Sequence, residues 1–145
     1  MNERYLSKAK RIDNGWWEIG SLIALPTGEY EISNKCNNPP DCDPIWNKVV
    51  ITHKVKPSTI CQCTGLKDKN GKLIWENDIV KVYGDTDDFG NDLYYFFKVV
   101  WNKDLCCWWL SDIYTKEDEC LYIYLKEIEI LGNVFDNPEL LEGGE

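Results

Sequence analysis

Apolar and polar residues alternate along this chain in short β-branched and aromatic runs, broken at close intervals by Gly, Asn, Asp and Pro. That pattern predicts a mainly β fold rather than a helical one. Tyr5 to Ile12 forms the first run and Trp16 to Leu25 its return, and Asp13-Asn14-Gly15 between them supplies the positive φ angles of a tight hairpin turn. On the returning strand Trp17, Ile19 and Ile23 share one face and Trp16 and Glu18 the other, so the first set is expected in the core and Trp16 outside it. Pro26-Thr27-Gly28 makes the next turn, before Tyr30 to Ser33. Asn34 to Asn47 holds Asn37-Asn38-Pro39-Pro40-Asp41 and Pro44, residues that favour turns and cannot join a central ladder, and reads as a mobile surface loop.

Lys48 to Val55 reads as a strand, and Thr59 to Thr64 as another after Pro57. Asn70-Gly71 offers a second two-residue turn, from which a short strand, Leu73 to Trp75, should leave. Asp78 to Tyr83 follows, with Val80 and Val82 on one side, then the acidic link Gly84 to Asp92 and the long apolar run Leu93 to Trp101. Cys106 to Ile113 and Cys120 to Lys126 are expected to be strands, and Ile128 and Ile130 alternate with Glu127 and Glu129 in a half-buried pattern. At the end, Asn137-Pro138-Glu139-Leu140-Leu141 combines an N-cap, a proline at the first helical position and an early acid, which predicts one C-terminal helical turn. No repeat, linker or composition break divides residues 1–145, so a single domain is expected.

At 145 residues the chain is long enough for one self-sufficient core. With 43% hydrophobic and 28% charged residues it is too apolar for disorder and too interrupted by charge for a membrane span, so no membrane association is expected. Met1 to Ile12 carries Arg4, Lys8, Lys10 and Arg11 among polar residues and lacks the apolar stretch of a secretory signal, which predicts a cytoplasmic protein. The formal charge of −9 repels a phosphate backbone and disfavours nucleic acid as a direct partner, the N-terminal basic residues notwithstanding.

Candidate chemistry is sparse, and no cofactor is implied. Seven cysteines, odd in number and not spaced as a disulfide framework, fit a reducing compartment. Cys36, Cys42, His53, Cys61 and Cys63 hold the donor types that zinc prefers, but neither cysteine pair has the two-to-four-residue spacing of a knuckle. Cys61 and Cys63 would share one strand face, as packing residues do. A small enzyme or metal module built on Cys61, Cys63 and the single histidine, His53, is the alternative reading. It would still need an orienting group and an oxyanion site. Asp85, Asp87, Asp88 and Asp92 fail the calcium-loop template, since its fifth and twelfth positions fall on Phe89 and Phe96, and they suit an exposed hairpin turn. Aromatic content of 13% is the compositional excess. Tyr94-Tyr95-Phe96-Phe97 and Cys106-Cys107-Trp108-Trp109 are apolar on both strand faces, so one face needs a cover from the same chain, a second copy or a partner. Trp16, Tyr95, Phe97 and Trp109 are the candidate interaction surface.

Three segments together resemble a known family. They are Arg11-Ile12-Asp13-Asn14-Gly15, the run from Thr64-Gly65-Leu66-Lys67-Asp68-Lys69-Asn70-Gly71-Lys72 through Ile74-Trp75-Glu76-Asn77-Asp78-Ile79-Val80, and Gly132-Asn133-Val134-Phe135-Asp136-Asn137-Pro138-Glu139-Leu140-Leu141. In order and content they resemble the YopX family of phage and prophage proteins, and they bracket nearly the whole chain. The resemblance implies a small, mainly β, barrel-like or sandwich-like domain of a bacteriophage or integrated element, working in the bacterial cytoplasm. It assigns no reaction and no functional residues, only the motif positions Thr64, Gly65, Leu66, Lys67, Asp68, Asn70, Gly71 and Asp78. The family usually has Glu-Gly-Asp where this chain has Glu76-Asn77-Asp78, and asparagine is the next best residue for a left-handed position. The position of Trp16 is usually polar in the family, and the Asn34 to Asn47 segment has no counterpart in it. The expected function is that of a noncatalytic accessory protein that binds a protein, or itself as a homo-oligomer, with a nucleic-acid accessory role as a further alternative.

Overall fold

In the computed structural model, residues 5–35, 50–115 and 117–142 are described. Of the expected Asn34 to Asn47 loop only its first two residues are among them, and they end a strand; the rest, with Cys36 and Cys42, lies outside the described residues. The strands are β1 (Ser7–Lys10), β2 (Trp17–Ala24), β3 (Tyr30–Lys35), β4 (Val50–Val55), β5 (Cys61–Lys67), β6 (Leu73–Trp75), β7 (Asp78–Thr86), β8 (Asp92–Asn102), β9 (Cys107–Asp112), β10 (Asp118–Cys120) and β11 (Ile128–Asn133), followed by one short helix, α1 (Glu139–Glu142). They form two antiparallel sheets, ordered β4-β3-β2-β1-β5-β6 and β10-β9-β8-β7-β11. Each order has two free ends, so neither sheet closes into the expected barrel. An isolated bridge, Arg11 to Val55, links the end of β4 back to the residue after β1.

The chain forms two compact units, Met1–Cys63 and Thr64–Glu145, and passes from one to the other inside β5. In the first unit the chain does turn at Asn14-Gly15, but only Gly15 takes a positive φ, +74, and the turn is wider than the expected two-residue one: the Arg11 N–H donates to the Trp16 carbonyl at 2.9 Å and the Gly15 N–H to the Arg11 carbonyl at 3.0 Å. Ala9, Ile32 and Val55 make its buried core, with Tyr30 and Ile60 against them. The ladder opposes Ala9 to Glu18 and Ile32 to Leu22. Directly opposed residues share a face, so Glu18, Gly20 and Leu22 stand on the side of Ala9 and Ile32, with Gly20 buried and Leu22 still 38% exposed. The expected core face of Trp17, Ile19 and Ile23 is therefore the outer one, and Ile19 is 45% exposed. On that side β1 contributes only lysines. Trp17 lies opposite Lys10, and the Nζ atoms of Lys8 and Lys10 stand 4.6 and 5.4 Å from its ring centroid.

The second unit has the larger core. Val80, Val82, Phe97, Val99, Trp108, Leu110 and Ile128, from one face of the β9-β8-β7-β11 strands, are buried with Ile74 and Leu121. The expected strand Cys120 to Lys126 is not formed: β10 ends at Cys120 and a 3-10 turn follows over Leu121–Tyr124. Leu121 is buried, Tyr122 and Ile123 are exposed, and Tyr124 and Leu125 pack on the core. Inward positions three and four residues apart are a helical spacing, which a strand of period two cannot present to one core.

Candidate functional site

The second unit carries most of the charge. Thr64–Glu145 holds eight lysines against eighteen aspartates and glutamates, a net of −10, whereas Met1–Cys63 holds eight basic and seven acidic residues, a net of +1. Within this acidic unit lies a cleft of about 510 Å³. β8 contributes Tyr94, Tyr95 and Phe96, β7 contributes Ile79, β11 contributes Leu131, and α1 contributes Glu139 and Leu140. The end of β9 and the turn beyond it add Asp112, Tyr114 and Thr115. A smaller hollow of about 220 Å³ shares Tyr95, Asp112 and Thr115 and is bordered by Phe97, Glu117, Glu119 and Tyr124.

Local bonding holds each wall. Asp112 is 7% exposed, and its Oδ1 accepts the N–H groups of Tyr114 and Thr115, both at 2.8 Å. The Tyr114 ring meets Phe96 edge to face at 6.0 Å, and the Tyr124 ring stacks on Phe97 at 6.4 Å. Burial, then the charges of Glu119 and Glu127, push the Tyr124 phenol above its ordinary range, so it stays a neutral donor. Tyr95 lies over Gly84, where any Cβ would overlap its ring. α1 is set by the preceding turn. Asn137 Oδ1 accepts the Asn133 N–H at 3.2 Å, and Asn133 Oδ1 accepts those of Phe135 and Asp136 at 3.0 and 2.9 Å. A Cβ at Gly132 would collide with the Asn137 side chain.

The structure separates the four candidate surface residues. Trp16, 73% exposed, belongs to the first unit and the others to the second. Tyr95 is 48% exposed and stands at the junction of the two hollows. Phe97, two residues on, is 4% exposed within the core, so it leaves the candidate surface. Trp109 is half-buried on the opposite sheet face, and its indole N–H finds no acceptor among the described residues. Cys61 and Cys63 are buried, and Cys61 Sγ donates to the Thr59 carbonyl at 3.4 Å. His53 is half-buried opposite Ile32. Among the described residues no three His, Cys, Asp or Glu side chains come together to hold a metal. The Asp87 carboxylate caps its own hairpin turn, accepting the N–H groups of Phe89 and Asn91 at 2.9 and 2.8 Å. Of the cleft, sequence reasoning marked Tyr95 as a surface residue and missed Asp112, Tyr114 and Glu139. The available signal was Asp112 followed by Thr115 at the end of a strand, a side-chain turn signature.

Residues 10–142 match the sequence profile of the YopX protein family. The chain belongs to the YopX family. No curated protein matches it. The YopX segments build turns, and Ile79, Glu139 and Leu140 from them also line the cleft. In the middle segment, Thr64 Oγ1 donates to the Ile74 carbonyl at 2.7 Å and accepts the Leu66 N–H at 3.0 Å. Gly65 and Gly71 take φ +77 and +82. The buried Asp68 accepts N–H groups from Asn70, Lys72 and, 62 residues on, Ile130, at 2.8, 2.9 and 3.1 Å. Asp78, also buried, accepts the Trp75 N–H at 2.8 Å. Asn77 does adopt the left-handed conformation, at φ 69. The last YopX segment places α1 at the cleft, and among the described residues no helix is long and apolar enough to cross a membrane.

Proposed function

We propose that this YopX protein is a noncatalytic accessory module of a phage or prophage, acting in the bacterial cytoplasm and binding a protein through the cleft face of Thr64–Glu145. The observation that carries the reading is the cleft of about 510 Å³ with exposed tyrosine walls. Tyrosine offers large, rigid area with a polar tip, which suits the centre of a protein interface. The net charge of −10 on that unit favours a basic protein surface and opposes nucleic acid. The thiols of Cys61 and Cys63 are buried, which leaves a catalytic use of them with His53 without an open path to substrate.

The test is capture of tagged full-length protein from lysate of infected host cells, with and without nuclease. The expected result is a stoichiometric protein that survives nuclease, is lost with Tyr95→Ala and is kept with Trp16→Ala. Release by nuclease would move the assignment to nucleic acid. Recovery of its own subunits alone, confirmed by light scattering, would move it to self-assembly.

A further inference from the structure

Asp112 is the unusual residue of the cleft. It is 7% exposed, yet it lines both hollows, at the point where they meet. Its Oδ1 is taken by two backbone N–H groups, while its Oδ2 has no hydrogen-bond partner among the described residues. A ligand that covers this carboxylate must bring it a donor, because closing it off from water without one is costly. Lys98 borders a third hollow beside Asp112 and forms no ion pair with it among the described residues. The described lining of the two tyrosine-walled hollows includes Glu117, Glu119 and Glu139 and no lysine or arginine.

We infer that the cleft receives an arginine side chain from a basic segment of the partner protein, with Asp112 Oδ2 as its acceptor and the rings of Tyr95 and Tyr114 as its stacking surface. This deepens the protein-binding reading and rests on it. Arginine suits the site for three reasons. Its planar guanidinium presents several donors to carboxylates, it stacks on aromatic faces, and it sheds water more readily than an ammonium. Among the described residues no lysine or arginine pairs with Asp112, and a guanidinium would bring it a compensating charge. An apolar plug would bury that carboxylate without a donor, and an anionic ligand would meet four carboxylates.

The experiment is fluorescence anisotropy of the full-length protein with a short fluorescein-labelled peptide of alternating arginine, glycine and serine, beside lysine and citrulline counterparts. The arginine peptide is expected to bind, the lysine peptide to bind several-fold more weakly, and the neutral citrulline peptide not to bind. Asp112→Asn keeps an acceptor for the turn and removes the charge, and it should weaken the arginine peptide about tenfold or more. Glu139→Gln, on an exposed helical turn, should weaken it several-fold and decides the matter if Asp112→Asn loses its near-ultraviolet dichroism. The pair Asp88→Asn and Asp104→Asn changes charge elsewhere in the unit and should leave binding unchanged. Equal binding of the citrulline peptide, or an equal loss with the Asp88 and Asp104 pair, would overturn the inference. If the lysate experiment yields a partner lost with Tyr95→Ala while the arginine peptide fails to bind, the arginine site falls and the protein-binding reading stands. If neither binds, both fall.

Discussion

Two Asn-Gly turns, one in each unit, start from nearly the same local sequence and come to carry different weight. Gly15 and Gly71 adopt φ +74 and +82, each just after an asparagine and shortly after an aspartate. In the first unit that aspartate, Asp13, has a side chain 63% exposed and pairs with Arg11 at 2.6 Å in solvent. In the second, Asp68 is buried and ties its own hairpin to β11 through Ile130. Left-handed backbone geometry is a local property, so the two glycines adopt it alike, although the Gly15 N–H reaches back four residues to Arg11 and the Gly71 N–H three to Asp68. What an aspartate is worth depends on what surrounds it, and only Asp68 is closed off from water. The same contrast separates two isoleucines of the first unit: Ile32 is fully buried, while Ile19 faces solvent beside the lysines.

The largest expected effect lies with the isoleucines. Ile32→Ala should cost about 2–5 kcal/mol, whereas Ile19→Ala should stay within about 0.5 kcal/mol, in urea unfolding followed by tryptophan fluorescence. Equal costs would mean that the faces of β2 are assigned the wrong way round. Next comes Asp68→Ala, which strands three N–H donors and should cost about 3 kcal/mol, with Asp68→Asn recovering part because it retains one acceptor oxygen. A cost for Asp68→Ala no greater than that for Asp13→Ala would break the comparison of turns. Gly15→Ala and Gly71→Ala should each cost about 1–2 kcal/mol, and by similar amounts, because neither position has a neighbour within 4 Å of an added Cβ and the penalty is the backbone's alone.

The smallest effect is electrostatic. The hydrogen bond and charge of Arg11 hold the Asp13 carboxyl below its ordinary range. A depressed carboxylate contributes stability that is present above its unfolded pKa, near pH 4, and is lost as pH falls through the lower folded value. Asp13→Asn should therefore lower the melting temperature slightly near neutrality, with the two proteins converging as pH falls below about 4, so that the variant shows the flatter fall. High salt should erase the difference between the two proteins, since the pair is open to solvent. An undiminished difference in salt would show that the pair is shielded.

Much of the strand layout was legible because its causes are local. The runs around Leu73 to Trp75 and Leu93 to Trp101 are strands, the position of Asn77 is left-handed, and Asn137-Pro138-Glu139 starts a helical turn. The buried side of β2 was not legible, because alternation defines two faces without saying which of them a neighbouring strand will cover. Tyr95 and Phe97 have equal parity on β8, yet Phe97 lies within the buried cluster with Tyr124 stacked on it, while Tyr95 is 48% exposed. The cleft was out of reach for the same reason, since it draws on β7, β8, β9, β11 and α1.

By itself, then, the sequence determined the mainly β class, the YopX segments and the turns they build, since each rests on backbone preferences and side-chain bonds spanning a few residues. The tertiary structure alone decided which faces were buried, that Asp68 reached Ile130, and that Asp112 came to rest nearly out of water among tyrosines. Those outcomes depend on solvent exclusion between segments far apart in the chain, and no local pattern of residues encodes which segments will meet.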